Sequence, residues 1–437
     1  LSVVAATDDA VAAPPASGLI RGFGALLVMA LTITNAAAMA RSLGPLQEVV
    51  KLDLHLDDVQ MSMVQGLAAS IPVALLSIPL GRLVDRGARV RLLFVMSAVW
   101  TLGVFLTAIA NGFAVLFVAR MLAGLGALCA VPAAISVAAD LSTPERRGRA
   151  LLLLTLGVSL GTAIAFVGAG LLFGAWGADR VPFHGLPAWR AVHFAFAAVS
   201  ALVALPLLLT REPARHEVEA ANAPFSDVIR ELWARRAWLI PLFVGQVGVV
   251  MADVAATIWA GPLLTRAYHL SPQQFAGIMG AIVLIPGLIG AVAGGLLADF
   301  GQTRRLFGGV MFGAVAASVL AIPGALFAAA PDVTGFALLL SLFLFCGSMA
   351  GLVTSAAIAV LTPNETRGVA LSAFVVVGAV VGFGLAPTLV AWVSGWLGGE
   401  AHLGAALAVT DVVVSLMSCA GFVIAALRSP ACVGSTG

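Results

Sequence analysis

The chain has 437 residues, of which 61% are hydrophobic and 10% charged, against about 45–50% and about 25% in soluble globular domains. Its 23 Lys and Arg and 21 Asp and Glu are too few to dress a water-facing surface, which excludes an ordinary soluble fold; most of the surface must face lipid. At about 20 residues per span the length holds roughly a dozen helical spans and no soluble enzyme domain beside them, and the continuous apolar runs exclude a β-barrel, whose segments alternate over about 10 residues.

In chain order, residues 1–21 are expected to be a disordered cytoplasmic tail, Ala-rich, with Asp8 and Asp9 and none of the cationic start of a signal peptide. Cutting the rest at charges, Pro and Gly gives spans at approximately 22–50, 59–80, 91–111, 113–139, 150–176 and 189–210. A further six follow at 237–266, 273–298, 306–330, 335–362, 369–397 and 404–427. The expected plan is therefore an all-α membrane protein: a six-helix bundle over 22–210, a linker over 211–236, a second bundle over 237–427 and a tail over 428–437. Within the linker, Phe225, Val228, Ile229, Leu232 and Trp233 share one helical face, the pattern of a helix lying at the membrane surface.

Seventeen arginines fall on the side that holds both termini, whereas the other side holds only Lys51, Arg180, Arg190 and Arg266. Cytoplasmic loops keep such an excess, so both termini are expected in the cytoplasm of a cell whose inner membrane holds the chain. The net charge of +2 is not gathered into a basic face, so nucleic acid is not an expected partner. Cys129, Cys346, Cys419 and Cys432 lack metal-ligand spacing. There is no G-x-x-x-x-G-K-[ST] loop, no H-E-x-x-H and no G-x-S-x-G elbow, so neither ATP hydrolysis nor catalysis has support, and no cofactor or metal is expected.

The two halves repeat each other. Gly81-Arg-Leu-Val-Asp85-Arg86-Gly87-Ala-Arg89 lies between spans two and three, and Gly295-Leu-Leu-Ala-Asp299-Phe-Gly301 with Arg304 and Arg305 after it lies between eight and nine, 214 residues on. A second pair, around Arg147-Gly148 and Arg367-Gly368, stands at an offset of 220. Two motif pairs at nearly one spacing mean a duplicated six-span unit. A Gly at a helix end permits close approach, and an Asp can cap a helix while pairing with Arg, so these loops are candidate clasps between the halves.

The G-x-x-x-D-R-G-x-R loop, Arg120-x-x-x-Gly124-x-Gly126 in span four and the duplicated plan resemble the major facilitator superfamily of secondary transporters. The resemblance implies two six-helix bundles around a central cavity that opens alternately to each side. Leu54-His-Leu-Asp-Asp58-Val-Gln60, Gln65-Gly-Leu-Ala68 and Trp259-Ala-Gly-Pro262-Leu-Leu-Thr-Arg266 are similar to the spinster-like branch, which implies a lysolipid- or sphingolipid-like substrate and proton coupling. Where that branch has an Asp before the Arg of span one, this chain has Ala40.

Four charges lie well inside spans: Arg41, Arg120, Asp253 and Asp411. Such residues are candidates for function because each costs at least about 2.5–3.5 kcal/mol to insert. Arg41 and Arg120 are expected to hold an anionic or zwitterionic group, guanidinium being suited to phosphate and carboxylate; for Arg120 a structural clamp on helix carbonyls is the competing role. Asp253 is expected either to titrate and couple transport to protons or to pair with one of the arginines. Asp411 has the same candidate roles, or stands near a helix end at the interface. Asn35, Gln246 and Trp259 complete the candidate substrate-binding set. The expected function is a monomeric secondary carrier of an anionic or amphiphilic organic solute, in contact with membrane lipids. A small organic carboxylate is the alternative solute, and a non-transporting sensor the alternative class.

Overall fold

The computed structural model describes residues 20–143, 146–177, 185–215, 230, 232–304, 306–362, 370, 373–374 and 376–429, without the side chains of 77–78, 85–86 and 128–129. The expected tail, most of the linker helix face, Arg367 and the side chains of Asp85 and Arg86 lie outside the described residues.

The described residues are almost entirely helical, and twelve stretches are long and apolar enough to cross a membrane. The first six are built from α1 (Gly22–Arg41), α2 (Gln47–Asp53), α3 (Asp58–Gln65), α4 (Leu67–Arg86), α5 (Arg89–Ala108), α6 (Phe113–Leu141), α7 (Arg147–Ala175) and α8 (Ala188–Leu209). The second six are built from α9 (Arg236–Arg266), α10 (Pro272–Thr303), α11 (Phe312–Gly324), α12 (Val333–Leu361), α13 (Gly384–Trp396) and α14 (Leu403–Arg428). Outward faces carry Phe23, Leu75, Leu202, Leu296, Leu338 and Trp396 exposed, as lipid-facing helices require. Ile20 pairs with Thr210, so the chain enters α1 on the side where α8 ends. We call that side the terminal face and its opposite the distal face.

Three expected spans are interrupted, at Gly44–Leu46, at Gly66 and at Gly378–Phe383. The first is not one helix over 22–50: α1 stops at Arg41 and a 3₁₀ turn, Gly44–Leu46, leads into α2. Pro45 has no N–H to donate and keeps its predecessor out of the α region. The second divides at Gly66 into α3 and α4. Span eleven carries a π-helical segment, Gly378–Phe383, directly before α13. Pro387, one turn on, cannot donate to the Phe383 carbonyl. That carbonyl faces Gly66 across the two halves: a Cβ on Gly66 would lie 2.4 Å from the Phe383 oxygen. The breaks in spans two and eleven therefore fit together.

Elsewhere small residues bring backbones into contact, as membrane helix packing favours. At Gly161 of α7 a Cβ would meet the Thr34 carbonyl of α1 at 2.1 Å, and at Gly170 the Pro272 carbonyl of α10 at 2.6 Å. The second of these joins the halves near the distal face. Gly81, expected to permit close approach, has nothing within 4 Å of a built Cβ, because its end of α4 stands free on the terminal face.

Gly66→Ala is expected to cost about 1–3 kcal/mol through backbone displacement, lowering the melting temperature in detergent by several degrees. Gly81→Ala is expected to leave it unchanged or slightly higher. Differential scanning fluorimetry on the two variants checks the contrast.

Candidate functional site

The site starts at the end of α1. A helix leaves its last carbonyls without intrahelical partners, and the Gly44-Pro45 break puts this end inside the bundle. Arg120 of α6, 4% exposed, supplies the missing donors. Its Nη1 donates to the Met39 carbonyl at 3.4 Å and its Nη2 to the Ala40 carbonyl. A cation at a helix C-terminus also complements the helix dipole. Arg120 is thus a clamp that caps α1, with Nε still without a partner among the described residues.

Arg41, the last residue of α1, stays available. Its guanidinium stacks 5.1 Å from the centroid of the Phe383 ring, and no carboxylate pairs with it among the described residues. Arg41 and Arg120 both line a cavity of about 210 Å³ between the halves, with Gln65, Thr162, Phe166, Thr257 and Phe383. A second cavity of about 240 Å³ adjoins it, sharing Ile33, Val131 and Val158 and adding Ile135, Leu151, Leu154 and Thr155. The first space offers two guanidinium groups and the Gln65 amide; the second is almost wholly aliphatic.

The other candidates fall elsewhere. Asn35 donates to the Ser200 hydroxyl at 3.0 Å, within a cluster that includes Trp100 and Thr101. Trp259 is fully buried and donates to the Pro387 carbonyl at 3.1 Å, which ties α9 to α13 behind the cavity wall. Gln246 is buried near Gly351 of α12. None of the three lines either cavity, so the expectation that they touch substrate is not met in this conformation. Asp253 and Asp411 lie inside the C-terminal half, where no Arg or Lys pairs with them among the described residues. Asp411 is 0% exposed.

Above the cavity, on the distal face, stands a cluster that composition alone did not single out. Arg266, ending α9, donates to both oxygens of Glu48, at 3.0 and 2.7 Å, and to both of Asp58 at 2.7 Å. Lys51 pairs with Asp58 at 2.7 Å and also with Glu400. Lys51 and Asp58 are 4% and 5% exposed. Two cations and three carboxylates thereby join α2 and α3 of the first half to α9 and the turn before α14 in the second. Ser62 to Thr388, 3.1 Å, adds a hydroxyl contact across the same seam. The available signal was placement: Lys51 and Arg266 were among the few basic residues on the sparsely charged side.

Among the described residues of the repeated loops, the contacts of Arg89 stay on its own side of the seam. Arg89 pairs with Asp140 and with Glu212, 3.0 Å, and donates to the Ser136 hydroxyl at 3.0 Å, all within the first half or just after it. Gly295 is half-buried, while Asp299 and Arg304 are exposed, Arg304 lying over the Phe300 ring. The distal face is closed by the cluster around Arg266.

Lys51→Gln and Arg266→Gln are each expected to loosen the distal seam. With the native cysteines replaced, labelling of Gln65→Cys by an impermeant maleimide applied from the distal side is expected to rise severalfold in either variant. Unchanged labelling would mean that other contacts hold the closure.

Comparison with known proteins agrees with this architecture. The family model of the Major Facilitator Superfamily matches residues 23–387. An MFS-type efflux pump of Mycolicibacterium smegmatis is 26% identical over 257 residues, 58% of this chain and 57% of that protein. A 3-(3-hydroxy-phenyl)propionate transporter of Escherichia coli is 30% identical over 255 residues, 55% of each. The chain thus spans just over half the length of these relatives. A solved bacterial homologue of the human lysosomal transporter spinster, inward-facing and unoccupied, superposes with TM-score 0.80 at 20% identity, over 93% of this chain and 97% of that one. With twelve spans, repeated loop motifs and a family match over most of its length, the chain belongs to the Major Facilitator Superfamily, a family of membrane transporters.

Proposed function

We propose that the protein is a secondary active carrier of an amphiphilic organic anion, working by alternating access in a cell inner membrane with both termini in the cytoplasm. The observation that carries this reading is the junction of the two cavities. Arg41, with no acidic partner among the described residues, faces a space that shares the wall residues Ile33, Val131 and Val158 with an aliphatic one along α1, α6 and α7. An anionic headgroup at Arg41 with its apolar body between Ile135, Leu151 and Leu154 satisfies both. The excess of arginine on the terminal face supports the orientation.

A small organic carboxylate is the second reading. The cavity at Arg41, about 210 Å³, is below the roughly 300–1,000 Å³ of pockets for drug-sized ligands, and the relative from E. coli is named for an aryl-propionate.

Chain length separates the two. Thermal-shift binding and counterflow in proteoliposomes, with single-chain lysolipids and with carboxylates of increasing length, are expected to show affinity rising about fourfold per added methylene, from ~0.8 kcal/mol per buried CH₂, until the second cavity is filled. A plateau from the shortest carboxylate onward would support the second reading, and binding without counterflow would indicate a sensor. Arg41→Gln is expected to weaken binding at least about tenfold, the loss of a charge-assisted contact of about 1.5–3 kcal/mol, with the melting temperature of the free protein little changed.

A further inference from the structure

In the first half α5 begins on the terminal face beside the end of α8, where the Glu212 carboxylate accepts from the backbone N–H groups of Arg89 and Val90 at 3.1 and 2.8 Å. The two helices run antiparallel from there and leave a groove of about 670 Å³ between them, open to lipid past the exposed Leu102, Phe105 and Leu205. Its lining reaches from Phe94 to Phe105 on α5 and from Leu205 back to Phe194 on α8, a length of roughly 16 Å at about 1.5 Å per residue. Thr101 supplies the hydroxyl of the lining, and it is engaged with the buried Ser200 hydroxyl at 2.6 Å. Ser200 in turn accepts from Asn35 and from the Trp100 indole, both at 3.0 Å. The groove therefore offers its occupant carbon and no free side-chain polar group, which suits a hydrocarbon chain and penalises a polar one.

The two ends of the groove differ. At the distal end the Phe105 and Phe194 rings meet edge to face, 5.6 Å between centroids. The basic residue there, Arg190, is engaged: it donates to the Ala108 carbonyl at 3.0 Å and pairs with Asp53 at 3.6 Å. At the terminal end Arg91 stands exposed, one turn beyond Phe94 on the same face of α5. No carboxylate pairs with it among the described residues, and the nearby Glu212 is held by Arg89 at 3.0 Å as well as by the two N–H groups. From Arg91 to Phe105 the helix rises roughly 21 Å, the reach of an extended chain of about 17 carbons at ~1.2 Å per bond.

We propose that this groove is a seat for one anionic phospholipid of the terminal-face leaflet, its phosphate at Arg91 and one acyl chain laid along α5 and α8 as far as the Phe105 and Phe194 rings. The seat shares no lining residue with the Arg41 cavity, and it stands whichever solute the protein carries. The occupant lies against Thr101, whose partner Ser200 also holds Asn35 of α1, so the lipid bears on a helix that lines the cavity.

The experiment places the purified full chain in phosphatidylcholine vesicles that carry a small fraction of phosphatidylglycerol with a diazirine near the end of one long acyl chain. Adducts formed on illumination are mapped by mass spectrometry. They are expected at and around Phe105 and Phe194, severalfold in excess of those at exposed residues elsewhere, such as Leu296 and Leu338. With the same diazirine carried on phosphatidylcholine, or in Arg91→Gln, the yield at that place is expected to fall about fivefold, the share of one basic residue at an anionic membrane surface. Ala201→Phe, which fills the groove from an exposed position, is expected to abolish the enrichment, and Arg41→Gln to leave it unchanged. Arg91→Gln, at the surface, carries the test if Ala201→Phe does not purify. Adducts spread evenly over the lipid-facing residues, a yield indifferent to the headgroup or to Arg91, or an enrichment that survives Ala201→Phe overturns the proposal.

Discussion

Closure of the distal face rests on Arg266. It ends α9 and lies between Glu48 and Asp58, so that one side chain from the second half satisfies two carboxylates from the first. Bidentate pairing suits a planar guanidinium, and a lysine there would lose the geometry as well as two donors. Lys51 then balances the second lone-pair face of Asp58 and reaches Glu400. Burying such charges is costly unless each finds partners, and here three anions share two cations, with Lys51 and Asp58 almost fully buried and Glu400 half exposed. A joint of this kind is strong when complete and weak once any member leaves. That is the behaviour needed of a contact that must form and break during transport. The cavity that Arg41 lines lies between the halves beneath this joint.

The cavity itself follows from interrupted helices. Gly44-Pro45 ends α1 within the bundle, which exposes the carbonyls of Met39 and Ala40 and calls for a donor from a neighbouring helix. Arg120 meets that need with both terminal nitrogens, which fixes it against the wall while its charge stays on the cavity. Arg41 is left at the free end with an aromatic ring as its neighbour. Two arginines that look equivalent by depth therefore differ in kind, one holding the wall and the other facing the space. Pro387 does similar work in the second half: the carbonyls around it face Gly66 and receive the indole of Trp259.

Most of the architecture was legible in the sequence, because hydropathy, arginine placement and the repeated Gly81 and Gly295 frames are local or periodic signals. Twelve spans emerge from them, and the breaks at Gly44-Pro45 and Gly66 are marked by residues that interrupt helices even though the first reading ran through them. The distal cluster was less legible. Glu48, Asp58, Arg266 and Glu400 are distant in sequence, and only the packing of α2, α3 and α9 brings them together. The same limit explains Asn35 and Trp259: each is a polar group in an apolar run, but whether it faces a cavity or another helix depends on rotation about the helix axis, which the weak amphipathic patterns of membrane helices do not specify. The roles of Arg120 and Asp411 likewise turn on burial and partners, a carbonyl pair for one and none for the other.

The distribution of unpaired charge between the halves has a mechanical consequence. The free guanidinium belongs to the first half and the buried carboxylates to the second, with Phe383 and the 378–383 segment between them: Phe383 touches Arg41, while Val250, three residues before Asp253, lies against Gly382 and would meet a Cβ there at 2.3 Å. Arg41 and α9 therefore contact adjacent residues of the same π-helical turn, Phe383 and Gly382. Such a turn carries one residue more than an α-helix needs, and it can return to α geometry by shifting its register rather than by breaking the helix. Under the proposed function this turn is the element that Arg41 and α9 can both bias. Equilibrium coupling requires such a shared two-state element, not direct contact between the sites.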